Sequence, residues 1–260
     1  YPAYLNSMLA LGITPQLLPA RAAQNWKPDL EALVVNGDIP DGLLLASPAN
    51  PTGVVMRDAE LEAVCRWCDQ HGVRLIMDEI YHGLSFDKRA QSALAYTDNA
   101  IIINSFSKYF CMTGWRLGWV VLPDDLVQPA ERLAQNLYIS APTANQMGAI
   151  AAFDCYDELD AHIPRYQENR DLLCRGLPSS FLGRHAPSDG AFYLYADVGA
   201  LTNDSVALTG RMLTEAGVAI TPGVDFDACA GKTHVRLSYA GQTKDMEKAV
   251  RRINDWLQKL

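Results

Sequence analysis

The chain has 260 residues, of which 49% are apolar and 20% are charged, and this profile is typical of an ordinary globular protein with a sizeable core. Its 22 basic and 30 acidic side chains give a formal net charge of −8, so we expect no nucleic-acid partner and no anionic membrane partner. No apolar run approaches the length needed to span a bilayer.

Short apolar runs alternate with amphipathic segments through the first two thirds of the chain. The predicted buried strands are residues 42–47, 73–78, 100–106 and 115–122. A helix is predicted between the first two strands, with Asp58 as its N-cap and Gly72 as its stop. This alternation predicts an α/β sheet with parallel pairs. Ligands bind such sheets at the carboxyl ends of the strands, so the loops SPANPTG, DEIYHG and SFSKYF should converge on one crevice.

The rest of the chain predicts helices followed by a smaller mixed domain. The predicted elements are helices at 124–137, 142–156 and 157–176, then a strand at 190–198, a helix at 205–217, a strand at 233–240 and a closing helix at 244–260. Pro164 lies near the beginning of the long helix. We therefore expect a large domain at residues 1–156 and a smaller α+β domain at residues 157–260.

The six cysteines indicate reduced thiols rather than a disulfide framework, because a chain of this length does not need disulfides. Cys65, Cys68 and His71 resemble half of a metal site inside the predicted helix. No second cysteine pair with zinc spacing follows, so we expect no metal. Reduced thiols favour a cytoplasmic protein.

Four polar motifs have ordinary interpretations when each is taken alone, but together they meet the needs of pyridoxal 5′-phosphate. Lys108 in S-F-S-K offers the amine for a Schiff base with the aldehyde. Asp78 in D-E-I-Y ends a buried strand and can keep the pyridine nitrogen protonated. Asn50 in N-P-T-G and Tyr81 can donate to the phenolic oxygen, which favours its ionised form.

Phosphate and carboxylate groups need cations and hydroxyls. Ser105, Ser107 and Arg116 offer both to the cofactor phosphate. Arg236, in H-V-R-L-S-Y-A, offers a second guanidinium to a substrate carboxylate.

The ordered set N-P-T-G, D-E-I-Y, S-F-S-K, M-T-G-W-R-L-G-W and R-L-S-Y-A resembles the class I/II aminotransferases of the aspartate aminotransferase superfamily along the whole chain. The resemblance implies the α/β fold type I of pyridoxal-phosphate-dependent transferases. That fold has a large domain with a mostly parallel sheet and a smaller C-terminal α+β domain. Family members are normally longer at the N-terminus, so we expect the large domain to lack its N-terminal portion. A homodimer is also implied.

The resemblance further implies roles for single residues. Lys108 forms the Schiff base and moves a proton between Cα and C4′, Asp78 pairs with the pyridinium, and Tyr81 completes the catalytic set. Asn50 also contacts the substrate, and Arg236 binds its α-carboxylate. Tyr1 corresponds to an aromatic ring stacked on the cofactor, and Tyr4 to a residue on the substrate side of the pocket. For both tyrosines, simple packing is an equal alternative.

The leading hypothesis is ping-pong transamination between an L-amino acid and a 2-oxo acid. A carbon–sulfur β-lyase would use the same cofactor motifs, and a ligand-binding domain of a transcription regulator could retain them. The sequence shows no second arginine that reads a side-chain carboxylate, so we expect a neutral or broad amino donor.

Overall fold

The computed structural model describes residues 1–34 and 37–260. The α-helices of these residues are α1 (Pro2–Ala10), α2 (Asp58–His71), α3 (Asp124–Leu137), α4 (Thr143–Ala152), α5 (Tyr156–Asp160), α6 (His162–Gly176), α7 (Ser205–Arg211) and α8 (Thr243–Leu257). Their strands are β1 (Gly42–Ala46), β2 (Arg74–Asp78), β3 (Ile101–Ser105), β4 (Gly118–Val121), β5 (Tyr193–Asp197), β6 (Thr221–Pro222) and β7 (His234–Ser238). Among the described residues, no helix is both long and apolar enough to cross a membrane.

The chain forms two compact units whose segments interleave in the sequence. The four-stranded unit contains Asp29–Ala49 and Val55–Ile163. The three-stranded unit contains Tyr1–Pro28, Asn50–Val54 and Pro164–Leu260. The predicted division into domains at residues 1–156 and 157–260 stays a prediction.

The sheet of the four-stranded unit has the order β1-β2-β3-β4. The pairs β1–β2 and β2–β3 are parallel, and β3–β4 is antiparallel. Parallel pairing brings the carboxyl ends of three strands to one edge, where Ala46 lies opposite Asp78 and Asp78 opposite Ile103. The predicted mostly parallel α/β sheet is therefore confirmed, and its polar loops leave from this edge.

Helix α2 follows its predicted bounds, but its cap lies one residue earlier than predicted. Arg57, in extended conformation, is the N-cap, and Asp58 is the first helical residue. The reason is that the Glu60 carboxylate accepts the N–H of Arg57 at 2.9 Å, which stabilises the helix start there. Gly72 ends the helix in the left-handed conformation at φ 67°, as predicted.

Several predicted elements are shorter than the sequence patterns suggested, among them the helices predicted at 142–156 and 205–217 and the strand at 190–198. β4 begins only at Gly118, because residues 113–115 form a 3-10 turn and Arg116 adopts a left-handed conformation at φ 49°. The predicted helix over 157–176 is interrupted at Ala161, between α5 and α6. Pro164 then lies in the first turn of α6, where its missing N–H has no helical acceptor to lose.

The three-stranded unit has an antiparallel sheet in the order β5-β7-β6. Helix α6 is tied to the end of β7, since the Asn169 amide donates to the carbonyls of Tyr239 and Gly241 at 2.9 and 3.0 Å. The predicted strands and closing helix of this part are confirmed. The sequence reading missed α1 and the two-residue β6.

Candidate active site

The D-E-I-Y segment leaves the carboxyl end of β2 and is bound on both sides. The N–H of Ser47 donates to the carbonyl of Asp78 at 3.2 Å, and the N–H of Glu79 donates to the carbonyl of Ile103 at 2.8 Å. One Asp78 carboxylate oxygen accepts the N–H of Ile80 at 3.0 Å. The neighbouring strands thus fix the backbone from which the Asp78 and Tyr81 side chains project.

Lys108 lies between two buried aromatic residues that hold its loop. Phe106 and Tyr109 are 6% and 5% exposed, and the Tyr109 hydroxyl donates to the Asp160 carboxylate at 2.6 Å. The Lys108 Nζ atom lies 5.7 Å from the centroid of the Tyr81 ring, above its face. The structure therefore brings the predicted lysine and tyrosine together.

Gly83 permits the close approach between the two loops that carry Tyr81 and Lys108. Its φ is +89°, and a Cβ atom there would lie 2.5 Å from the Tyr109 ring. No other residue type adopts this backbone and leaves room for the ring. The glycine two residues after Tyr81 is thus a requirement of the packing beside Lys108.

The hydroxyls and the guanidinium predicted to bind phosphate lie at the end of β3 and on the two turns that follow it. Ser105 Oγ lies 2.9 Å from Ser107 Oγ and accepts the N–H of Ser107 at 3.0 Å. Arg116 is exposed, and its Nη1 donates to the carbonyl of Thr113 at 3.0 Å. The Thr113 hydroxyl donates to the carbonyl of Ser107 at 2.7 Å, which ties the arginine turn to the serine turn.

Asn50 and Arg236 contact each other in the three-stranded unit. The Asn50 Oδ1 atom accepts from Arg236 Nη1 at 2.8 Å, and the Thr221 hydroxyl accepts from Arg236 Nη2 at 3.2 Å. The guanidinium carbon lies over the rings of Tyr193 and Phe226, at 4.3 and 4.6 Å from their centroids. Arg236 forms no ion pair with a carboxylate among residues 1–34 and 37–260.

Gly53 is the glycine of N-P-T-G, and its backbone contacts explain why a glycine is needed there. Its carbonyl accepts the N–H of Gly190 at 2.8 Å, and a Cβ atom at its φ of +68° would lie 2.8 Å from the Gly190 carbonyl oxygen. The turn that carries Asn50 is thus held against the loop before β5 by backbone contact, which a side chain would prevent.

Tyr1 and Tyr4 lie at the start of α1 in the three-stranded unit. Their rings meet edge to face with centroids 5.7 Å apart, and the N–H of Tyr4 donates to the carbonyl of Tyr1 at 3.0 Å. Tyr1 is 54% exposed. Their predicted roles at a cofactor stay predictions.

Two buried titratable groups, one within D-E-I-Y and one directly after it, have shifted pKa values. Glu79 is 2% exposed, and burial raises its carboxyl pKa to about 7, although the N–H of Ala93 at 2.9 Å opposes the shift. Burial lowers the pKa of His82 to about 4. The His82 Nδ1 atom lies 3.3 Å from the second Glu79 oxygen. The Glu79 carboxylate links the loop after β2 to the turn at Ser92 and Ala93.

The sequence reading missed several residues that hold the predicted ones. These are Thr221, Tyr193 and Phe226 at Arg236, Thr113 at the serine turn, and Gly83, Tyr109 and Glu79 near Lys108 and Asp78. Thr113, Glu79 and Tyr109 adjoin or lie within the motifs, so their positions were the available signal. Nothing local in the sequence pairs Thr221 with Arg236.

Comparison with known proteins shows which protein family this chain belongs to. The sequence profile described as "Aminotransferase class I and II" matches residues 1–253. The chain belongs to the class I and II aminotransferases. It is thus an enzyme of the transaminase type with pyridoxal 5′-phosphate as its cofactor, and the predicted fold type I is confirmed.

Named relatives of this aminotransferase include enzymes for several amino acids. The chain is 43% identical over 261 residues to valine–pyruvate aminotransferase of Mycobacterium tuberculosis, with 99% of the chain and 67% of that protein covered. It is 32% identical over 225 residues to aspartate aminotransferase of Sulfurisphaera tokodaii, with 84% of the chain and 56% of that protein covered. The chain spans between about half and two thirds of the length of these two relatives.

The aminotransferase fold is also found among solved structures. A crystal structure of an aminotransferase from Mycobacterium tuberculosis superimposes with a TM-score of 0.95 at 43% identity, over 100% of this chain and 68% of that one. A Thermus thermophilus aspartate aminotransferase double mutant gives a TM-score of 0.85 at 29% identity, over 97% of this chain and 66% of that one.

Proposed function

We propose that this aminotransferase moves an amino group from an L-amino acid to a 2-oxo acid by a ping-pong sequence, with Lys108 as its central residue. The observation that carries the proposal is the placement of the Lys108 amine 5.7 Å from the Tyr81 ring centroid, in the loop beside the strand that ends at Asp78. An amine, a phenol and a carboxylate from adjacent strand ends form the donor set that a pyridoxal ring requires.

The residues of the four-stranded unit fit the cofactor. The Lys108 amine would hold its aldehyde carbon, the Asp78 carboxylate its ring nitrogen, and the Tyr81 hydroxyl its phenolic oxygen. Ser105, Ser107 and the Arg116 guanidinium would hold the phosphate, because hydroxyls and a forked cation match its oxygens.

The three-stranded unit supplies the substrate contacts in this proposal. Arg236 would bind the α-carboxylate, since its partners are a neutral amide, a neutral hydroxyl and two aromatic rings. Asn50 would orient Arg236 and contribute an amide donor to the substrate and the cofactor oxygen. Tyr1 would stack on the cofactor ring, and Tyr4 would line the substrate side.

When bound, pyridoxal phosphate supplies an electron sink for the pair released at the substrate Cα. Asp78 keeps the ring nitrogen protonated, which maintains that sink. The Lys108 amine would take the proton from the substrate Cα as a general base and would return it at C4′ as a general acid. The oxo acid product leaves before the second oxo acid binds, and Lys108 then acts in the reverse order.

The substrate, the oligomeric state and the cellular location are further parts of this proposal. The name of the Mycobacterium tuberculosis relative, valine–pyruvate aminotransferase, supports a neutral aliphatic donor and a small oxo acid acceptor. Large apolar side chains exposed on α3 and α4 support a homodimer. The six cysteines are all free, which supports a cytoplasmic location.

The test is an absorption experiment on the purified protein loaded with pyridoxal phosphate. L-Valine, L-aspartate and other L-amino acids are added singly, without an oxo acid, and the near-visible spectrum and the released acid are measured. We expect valine to change the spectrum and to release one equivalent of its oxo acid per site. Lys108→Ala should lower this rate by roughly 10²–10⁴-fold or more, whereas Lys259→Ala, at an exposed C-terminal position, should not.

Two outcomes would contradict the proposal. Release of ammonia together with an oxo acid, at an unchanged spectrum, would indicate elimination instead of transamination. A Lys108→Ala variant with the parent spectrum and rate would remove Lys108 from the reaction.

A further inference from the structure

The position of Arg236 in the sheet brings it opposite a threonine. In the antiparallel pair β6–β7, Thr221 and Arg236 are direct partners, and on the other side of β7 Arg236 is opposite Tyr195. Strand β6 has only the residues Thr221 and Pro222, so Thr221 supplies its one side-chain hydroxyl. The pairing register therefore fixes the distance between the Thr221 hydroxyl and the Arg236 guanidinium.

The guanidinium is held by two hydrogen bonds at different nitrogens. Nη1 donates to Asn50 at 2.8 Å, and Nη2 donates to Thr221 at 3.2 Å. A guanidinium is planar, so one acceptor at each terminal nitrogen fixes the rotation of that plane. The rings of Tyr193 and Phe226 lie within 4.6 Å of the guanidinium carbon and restrict its tilt.

These contacts position the guanidinium without neutralising its charge. The hydrogen-bond partners of Arg236 among the described residues are neutral, and its Nε–H is buried with no hydrogen-bond partner among them. A buried donor without a partner is costly, so the arrangement is suited to a group that brings its own acceptors. A carboxylate does this with two coplanar oxygens.

We propose that Thr221 is a positioning residue for substrate recognition, whose hydroxyl orients Arg236 for the α-carboxylate. The inference rests on the proposed function, in which Arg236 binds that group. Thr221 acts through Arg236 alone, so it governs affinity for carboxylates and leaves the proton transfers of Lys108 unchanged.

The experiment uses Thr221→Val, which keeps the shape of the side chain and removes the hydroxyl, and Thr221→Ser, which keeps the hydroxyl. Thr214→Val, an exposed position, is the matched control. The probe is 3-methylbutanoate, an unreactive carboxylate, titrated into the cofactor-loaded protein by calorimetry. 2-Methylpropylamine, which lacks a carboxylate, is reacted in parallel, and kcat and KM for L-valine are measured.

Because Thr221→Val removes a hydrogen bond to a charged group, we expect it to weaken 3-methylbutanoate binding and to raise KM for L-valine by about 10-fold. The kcat should stay within about two-fold of the parent value. Thr221→Ser should restore the affinity. The reaction with 2-methylpropylamine should be unchanged in both variants. Circular dichroism and the Tm of each variant confirm that the fold is retained.

Arg236→Lys distinguishes a failure of the role of Thr221 from a failure of the proposed carboxylate site. If this variant loses carboxylate affinity while Thr221→Val keeps it, the role of Thr221 is refuted and the proposed function stands. If Arg236→Lys keeps the affinity for 3-methylbutanoate, the carboxylate site of the proposed function is wrong. A Thr221→Val variant that slows the amine reaction as much as the valine reaction would assign Thr221 a general structural effect and overturn the inference.

Discussion

At the scale of single residues, contacts outside the motifs determine where the motif side chains lie. Lys108 is positioned by Tyr109, which is bonded to Asp160 and rests against Gly83. Because the ring of Tyr109 occupies the space that a Cβ of Gly83 would need, a single methyl group should disturb the loop of Lys108.

Gly83→Ala should therefore be more destabilising than a substitution that only strains the backbone. Gly72→Ala is the matched control, since Gly72 also has a positive φ but nothing lies within 4 Å of a Cβ there. We expect ~1–2 kcal/mol for Gly72→Ala and ~1–3 kcal/mol more for Gly83→Ala. Urea unfolding measures both, and equal losses in the two variants would refute the steric argument.

Glu79 and His82 should give opposite pH dependences of stability. Because the folded protein raises the carboxyl pKa of Glu79 from 4.5 to about 7, it binds that proton more tightly than the unfolded chain, and stability falls as pH rises through this range. The folded protein lowers the His82 pKa from 6.5 to about 4, so stability falls as pH decreases through that range. Where the ranges overlap, the effects oppose each other.

Glu79→Gln should expose the histidine effect alone. Its free energy of unfolding, relative to the parent protein, should gain up to ~3 kcal/mol between pH 4.5 and 7, because the cost of ionising a buried carboxyl is removed. His82→Asn should gain free energy of unfolding relative to the parent protein as the pH falls from 6.5 to 4, because the cost of protonating a buried histidine is removed. Urea unfolding at a series of pH values measures both. Parallel profiles for parent and Glu79→Gln would show that the carboxyl does not titrate in this range.

At the scale of elements, a buried amide ties helix α6 to the end of strand β7. Asn169 is fully buried, and its Nδ2 atom donates to two carbonyls that follow β7. Those carbonyls lie beyond the strand pairing, so no ladder bond replaces the amide if it is removed.

Asn169→Ala should lower the free energy of unfolding by ~1–3 kcal/mol, since two acceptors lose their donor and a small void forms. Asn136→Ala removes a comparable amide at the exposed end of α3, where it donates to Arg132, and should change stability by less than ~0.5 kcal/mol. Chemical unfolding of both variants tests this. A small effect at Asn169 would mean that packing alone holds α6.

At the scale of the whole molecule, apolar surface is concentrated on α3, α4 and the turn between them. Leu137 is 71% exposed, Ile139 80%, Met147 63% and Ile150 61%. Monomers rarely leave large apolar surfaces exposed, so these side chains support the proposed homodimer.

Leu137→Glu should weaken the proposed dimer by roughly 10-fold or more, because it places a charge in an apolar contact. Leu213→Glu makes the same change at a position that is 56% exposed in the other unit, and it should leave the association unchanged. Light scattering over a range of protein concentrations measures the dissociation constant. Equal dissociation constants for parent and Leu137→Glu would exclude this surface from the dimer.

The sequence by itself determined the parallel strands, the helix between Asp58 and His71, and the family, because apolar periodicity, glycine stops and ordered motifs are local properties of the chain. It also named Lys108, Tyr81, Asn50 and Arg236, whose chemistry is visible from residue type. Only the tertiary structure decided that Asn50 bonds to Arg236 and that Thr221 lies beside it. Asn50 and Arg236 are 186 positions apart in the sequence, and Thr221 and Arg236 are 15 positions apart. Their contacts depend on strand register and on the close approach of backbone segments at glycines. Neither is encoded within a short stretch of sequence, since register is set by how whole strands pack.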